Sequence, residues 1–312
     1  MIKAGVLLKD DKQERAYTVC GETTVSERPA AIDRLLAIRH LAAWASRLGD
    51  TEDRRINAGV LKQLVSAARR HGKQAIEEFQ DIARRSTELL PGLGEPLTVL
   101  DFGEHRWVGD RREEAFSDWL QWIVAQIEPA EVLRIFGVND PNMVSVCSGR
   151  NHTCVRERCV PHGNVGAGGR LDLEIEFGDV ALLVVEVKVG EAESSDTGKN
   201  AGYWKSVNEH HTKRLKSYVI VVLDAAEEEY YGFRPRLWCD VCVELRVLAA
   251  RLCRRDERLR AAMILAFVGS VEQNLLKFHP VSQGATHTVA DSLALPRITA
   301  HLSKFVEANA HG

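Results

Sequence analysis

Apolar positions in the first third of the chain recur every three to four residues. "AAIDRLLAIRHLAAWASRLG", "INAGVLKQLVSAARR" and "KQAIEEFQDIARRSTELL" each carry one apolar stripe and predict three helices between residues 28 and 90, with Gly49 and Gly72 where helices should stop. "PGLGEP" (91–96) then concentrates proline and glycine, which suits a connection between units. The expected organisation is a helical N-terminal region, 1–95, and a second domain, 96–312, with a helical C-terminal extension.

In "RREEAFSDWLQWIVAQI" (111–127), Ala115, Phe116, Trp119, Leu120, Ile123, Val124 and Ile127 fall on one helical face. The period then shortens. "TCVRERCV" (153–160), "RLDLEIEF" (170–177), "ALLVVEVKV" (181–189) and "SYVIVVLD" (217–224) are rich in β-branched residues and bounded by glycine or polar clusters, as strands are. "GKNAGYWKSVNEHHTKRLK" leaves room for one helix between the last two. The predicted order is α-β-β-β-α-β, an α/β class with a mixed sheet flanked by helices. "VCVELRVLAARL", "RLRAAMILAFVGSVEQNLLKF" and "LPRITAHLSKFVEANA" return to helical spacing.

Bulk numbers remove some functions and leave others open. The 312 residues can bury a core without disulfide staples. The longest apolar runs, "ALLVV" and "AAMILAFVG", are far below the ~20 residues of a spanning helix, so no membrane role is expected. Seven scattered cysteines and no secretory-type opening fit a cytoplasmic, reduced protein. With 41 basic and 44 acidic residues the net charge is −3, so any phosphate binding must be local. The most basic stretch, "RVLAARLCRRDERLR" (246–260), reads as a solvated helix face, with phosphate contact as the alternative.

Charges inside the two central strands call for an explanation. Alternation puts Glu186 and Lys188 on one face, opposite Val185, Val187 and Val189, and groups Asp172, Glu174 and Glu176 opposite Leu171, Leu173, Ile175 and Phe177. A two-residue loop at Gly178-Asp179 would send Asp172 to the face away from Glu186. A three-residue loop, Gly178-Asp179-Val180, would set Asp172 directly across from Glu186 and Arg170 across from Lys188. Two carboxylates facing one another need a cation between them. A hard divalent ion, Mg²⁺ or Mn²⁺, would be held by Asp172, Glu186 and the carbonyl of Val187, with Lys188 beside its water. Glu174 and Glu176 are expected on an outward acidic face.

The pattern "GRLDLEIEF…ALLVVEVKV" resembles the PD-(D/E)XK nuclease superfamily, with Asp172 matching its first acid and Glu186-Val187-Lys188 its Glu-x-Lys. The resemblance covers residues 108–245 and leaves 1–95 without a counterpart. It implies a restriction-endonuclease-like αβββαβ core and a Mg²⁺-dependent nuclease, a hydrolase of DNA with RNA left open, in defence, restriction or repair. It also implies a helper glutamate from the first helix. Glu113 lies on the stripe through Phe116 and Leu120 and is preferred, with Glu114 next to it. Lys199, Asn200 and Tyr203 stand where the family places polar and aromatic residues; a glutamine common there is missing. The helical N-terminal part is left for targeting, homodimerisation or regulation.

Other readings rank lower. A catalytically silent nucleic-acid-binding or regulatory protein on the same fold is favoured by the near-neutral charge and opposed by the intact Asp…Glu-x-Lys set. A glycosidase gives Lys188 no role. Cys239-x-x-Cys242 lacks a second ligand pair for zinc, "GNVGAGGR" (163–170) lacks a Gly-Lys-Ser/Thr ending, and His210-His211 suit a solvated or capping role.

Overall fold

The computed structural model describes residues 58–99, 113–160, 169–190, 195–212, 214–224, 232–278 and 289–310. The predicted first helix within 28–49 and most of the glycine-rich run, 163–168, lie outside them.

Five strands make one mixed sheet in chain order: β1 (Thr153–Val160), β2 (Gly169–Phe177), β3 (Ala181–Val187), β4 (Leu215–Val222) and β5 (Arg234–Leu237). β1, β2 and β3 run antiparallel in succession, whereas β4 lies parallel to β3 and β5 parallel to β4. β3 is buried at every residue, as a central strand covered on both faces must be. Its alternation splits the apolar interior in two. Ala181, Leu183, Val185 and Val187 join the main core, while Leu182 and Val184 face a smaller one with Ile220 and Val222. Each fully buried leucine or valine there contributes about 1.5–3 kcal/mol.

Helices occupy both faces. The main-core side carries α1 (Ala58–Leu89), the turn α2 (Pro96–Val99), α3 (Glu113–Val124), α4 (Pro129–Ile135) and α5 (Pro141–Cys147). The crossover α6 (Ser195–His210) covers the smaller core through Tyr203 and Val207. The chain closes with α7 (Trp238–Arg254), α8 (Arg258–Asn274) and α9 (Val289–Ala310), also on the main-core side. Aromatic rings fix α3 there: Phe116 meets Trp238 edge-on at 5.7 Å, and Trp119 stacks on Phe267 at 5.8 Å. Among the described residues no helix is long and apolar enough to cross a membrane.

Several expectations need correcting. The second and third predicted helices are one helix of 32 residues, α1, which runs straight through Gly72. Glycine weakens a helix interior by about 1 kcal/mol but does not end it where both flanks keep their stripe. The "PGLGEP" connection is exposed at Pro91 and Gly92 and buried at Glu95 and Pro96, between buried Leu90 and Leu97. α4, α5 and β5 went unforeseen, although Asp140 caps α5 by accepting from the Asn142 N–H at 2.8 Å and Pro129 and Pro141 open helices in the favoured position.

Arg246 explains what holds the Pro/Gly segment. The arginine is fully buried, and its guanidinium forks onto both oxygens of Glu95 (2.8 and 2.7 Å) and both oxygens of Glu272 (2.8 and 2.7 Å). His301 on α9 reaches Glu272 at 2.6 Å, and Ser86 on α1 donates to Glu95. One buried ion cluster thus joins α1, the Glu95 segment, α7, α8 and α9. The neighbouring arginines are engaged as well: Arg251 with Glu131, Arg254 with Asn309, Arg258 with Asp256 and Arg260 with Glu257. With Arg246 fully buried, this basic stretch is therefore not a uniformly solvated face.

Candidate functional site

The β2–β3 turn settles which carboxylates meet. Phe177 pairs with Ala181 and Leu173 with Val185, the register of the three-residue loop, with Gly178 at φ +57°. Continued by one step, it sets Asp172 against Glu186. The regular ladder stops at Leu173 and Val185. Beyond it, the Val187 N–H donates not to a β2 carbonyl but to Oδ2 of Asp172, at 2.7 Å.

Lys188, just past β3, is held at both ends of its backbone. Its N–H donates to the Val221 carbonyl at 2.8 Å, and its own carbonyl accepts from the Trp238 indole at 2.8 Å. Trp238 was not a candidate from sequence, since nothing in "RLWCDVCVEL" signals what an indole will bond. The Lys188 ammonium lies 3.1 Å from Glu186 Oε1 and 3.4 Å from Glu113 Oε2. Glu113 begins α3 and is part-exposed, while Glu186 and Lys188 are buried. Glu114 is exposed, close enough for its charge to be felt at Asp172.

Electrostatics reflect that crowding. Burial pushes the Asp172 carboxyl up to about 6, against the Val187 hydrogen bond and the Lys188 charge. Burial, then the charge of Asp172, pushes Glu186 up to about 8, with Lys188 opposing. Near neutral pH the pair therefore retains about one proton. Burial, then Glu186 and Asp172, also pushes the Tyr203 phenol up to about 12, which puts this α6 side chain within reach of the same field. The side chains of Lys199 and Asn200 lie outside the described residues.

Glu186 Oε2 is buried and, among the described residues, meets no hydrogen-bond donor. An orphaned buried carboxylate oxygen beside a second carboxylate suits a cation. Among the described residues no group of three or more His, Cys, Asp or Glu side chains could hold a metal ion. The fit thus rests on the smaller set a hard cation accepts, one or two carboxylates, a backbone carbonyl and water. For Val187 the observed polar contact is its N–H on Asp172.

Glu174 and Glu176 do not form an outward acidic face. Glu174 is buried and paired with Arg158 of β1, and Glu176 bonds Arg158 at 3.1 Å and Arg214 at 3.2 Å. α6 covers that side of the sheet, so the acids there are neutralised by Arg158 across the strand pair and by Arg214 just before β4. Cys242 is a free, buried thiol pushed far up by burial, as a packing residue would be. His210 caps its own helix through the Ser206 carbonyl at 2.7 Å. Comparison with protein-family models, with curated proteins and with solved structures finds no match to this chain.

Proposed function

We propose that the chain is a metal-dependent nuclease that hydrolyses phosphodiester bonds in DNA, built on a restriction-endonuclease-like core and similar in its site to the PD-(D/E)XK superfamily. One observation carries the reading. Neighbouring strands deliver Asp172 and Glu186 to one point with the Lys188 ammonium against Glu186, and among the described residues one oxygen of Glu186 has no donor. The element order α3, β1, β2, β3, α6, β4 supports it too, with α4 and α5 inserted.

Asp172, Glu186 and the Val187 carbonyl would hold a Mg²⁺ or Mn²⁺ ion. Bound there, the ion supplies a polarised phosphoryl oxygen and a water acidic enough to attack. The chain's own residues do the rest. Lys188 presents a positive charge where negative charge grows on the phosphoryl oxygens, and its buried setting strengthens that interaction. Glu113, at the mouth of the site, holds the ammonium from the α3 side and is placed to accept a proton from water. The proton that burial and mutual repulsion favour on this pair of carboxyls would leave when a divalent cation takes its place.

Supercoiled plasmid and single-stranded oligonucleotides, incubated with Mg²⁺ or Mn²⁺, test this. Wild type should cut at least one substrate, and Asp172→Ala and Lys188→Ala should lower the rate by at least ~10²-fold. Wild type inert on every nucleic acid with either ion, or all three proteins cutting alike, would overturn the proposal.

A further inference from the structure

β1 and β2 pair on both sides of Glu157 and Asp172 but not at them. Arg156 pairs with Leu173 and Arg158 with Leu171, while the facing residues between make no bridge. Glu157 has φ +54°, in the left-handed region that residues bearing a Cβ adopt only at a cost.

Both strands change face at this step. Arg156 bonds Asp118 of α3 at 2.6 Å, on the main-core side. Arg158, two residues later, bonds Glu174 on the side covered by α6. In β2, Leu173 belongs to the main core and Leu171 to the smaller one under α6. Residues two apart in a regular strand share a face, so each strand makes a half-turn here. Asp172, at the centre of it, is aimed along the sheet rather than up or down, and its Oδ2 receives the Val187 N–H at 2.7 Å.

We infer that Glu157, through its left-handed backbone, is a positioning residue that turns Asp172 into the plane of the sheet and onto the Val187 amide. Unpaired, kinked strand positions recur beside functional sites because they re-aim a side chain. The Glu157 carboxylate has separate work, in ion pairs with Arg156 at 2.6 Å and Arg170 at 3.1 Å. Backbone and charge are therefore separable by substitution. That Asp172 then serves a metal rests on the function proposed above; its aim does not.

The test is the Val187 amide signal in the full chain, read by NMR shift and hydrogen exchange. Glu157→Gly and Glu157→Asn lose the charge but tolerate φ > 0, and should keep both the shift and the protection of wild type. Glu157→Val loses the charge and resists φ > 0, and should move the amide toward the value in Asp172→Ala and speed its exchange at least ~10-fold. Should Glu157→Val not fold, Glu157→Ala is expected to move the signal the same way by less. If the glycine, asparagine and β-branched or alanine variants give one signal, the inference is wrong. If the series separates as expected while no form of the protein cuts nucleic acid, the positioning stands and the nuclease reading falls.

Discussion

Lys188 Nζ lies 3.1 Å from Glu186 Oε1, two residues back along the same chain and both buried at the end of the central strand. Because β3 ends at Val187, the lysine can share the face of Glu186 and still reach Glu113 on α3. The ammonium answers only part of the negative charge gathered there. Glu186 Oε2 meets no donor among the described residues, and the Asp172 carboxylate adds its own charge.

Stability should fall as pH rises through the titration of this pair. A carboxyl whose folded pKa lies above its unfolded value binds its proton more tightly in the fold, so its stabilisation is present at low pH and lost as pH climbs. For Asp172 and Glu186 the loss runs from the ordinary carboxyl range through about 6 and about 8. Urea unfolding from about pH 5 to about pH 9 should show wild type losing on the order of 5 kcal/mol from this source, and Glu186→Gln losing markedly less. Parallel curves would mean that Glu186 is not pressed by burial and Asp172.

Trp238→Phe keeps the ring against Phe116 but deletes the indole donor to the Lys188 carbonyl. Leaving that carbonyl short of a partner should cost about 1–2 kcal/mol in chemical denaturation. It should also weaken Mn²⁺ binding, since the end of β3 is then less firmly placed. A change in stability with metal affinity untouched would limit the indole to a structural role.

Arg246 should be the least replaceable arginine among the described residues. Arg246→Leu leaves Glu95 and Glu272 buried without their partner and should cost about 3–5 kcal/mol, and Arg246→Lys should recover little, because one ammonium cannot fork onto two carboxylates. Arg254→Leu, which loses a 3.5 Å contact to Asn309 at the surface, should change stability by under about 0.5 kcal/mol. Although burial opposes it, the Arg246 charge pulls Glu272 down to about 2. A depressed carboxyl gives stability that is present above the ordinary carboxyl range and lost as pH falls through the folded value. Glu272→Gln should therefore be less stable at neutral pH and show a flatter acid limb. Calorimetric melting from about pH 7 to about pH 2 checks both.

Particular residues show how far the sequence could be read. β-Branched richness between glycine and polar boundaries located the first four strands, and the Gly178-Asp179-Val180 loop, one of two that the chain allowed, proves to be the one that sets Asp172 against Glu186. Alternation also grouped Glu174 with Asp172. Its burial escaped notice because the neutralising charge, Arg158, comes from another strand. Arg246 was illegible for the same reason on a larger scale, its partners lying 151 and 26 positions away. Gly72 misled because a local cost was read as a stop. The kink at Glu157 left no mark at all, since glutamate is not a residue whose presence announces φ > 0.

The most direct measurement is calorimetric titration of Mn²⁺ into the protein near pH 7 in two buffers of different ionisation heat. A cation displacing the proton that the raised carboxyls of Asp172 and Glu186 favour should bind once per chain and release about one proton, with affinity rising from about pH 6 to about pH 8. Asp172→Ala and Glu186→Ala should abolish it. Absence of binding in wild type, or binding that is indifferent to pH and to both substitutions, would contradict the account.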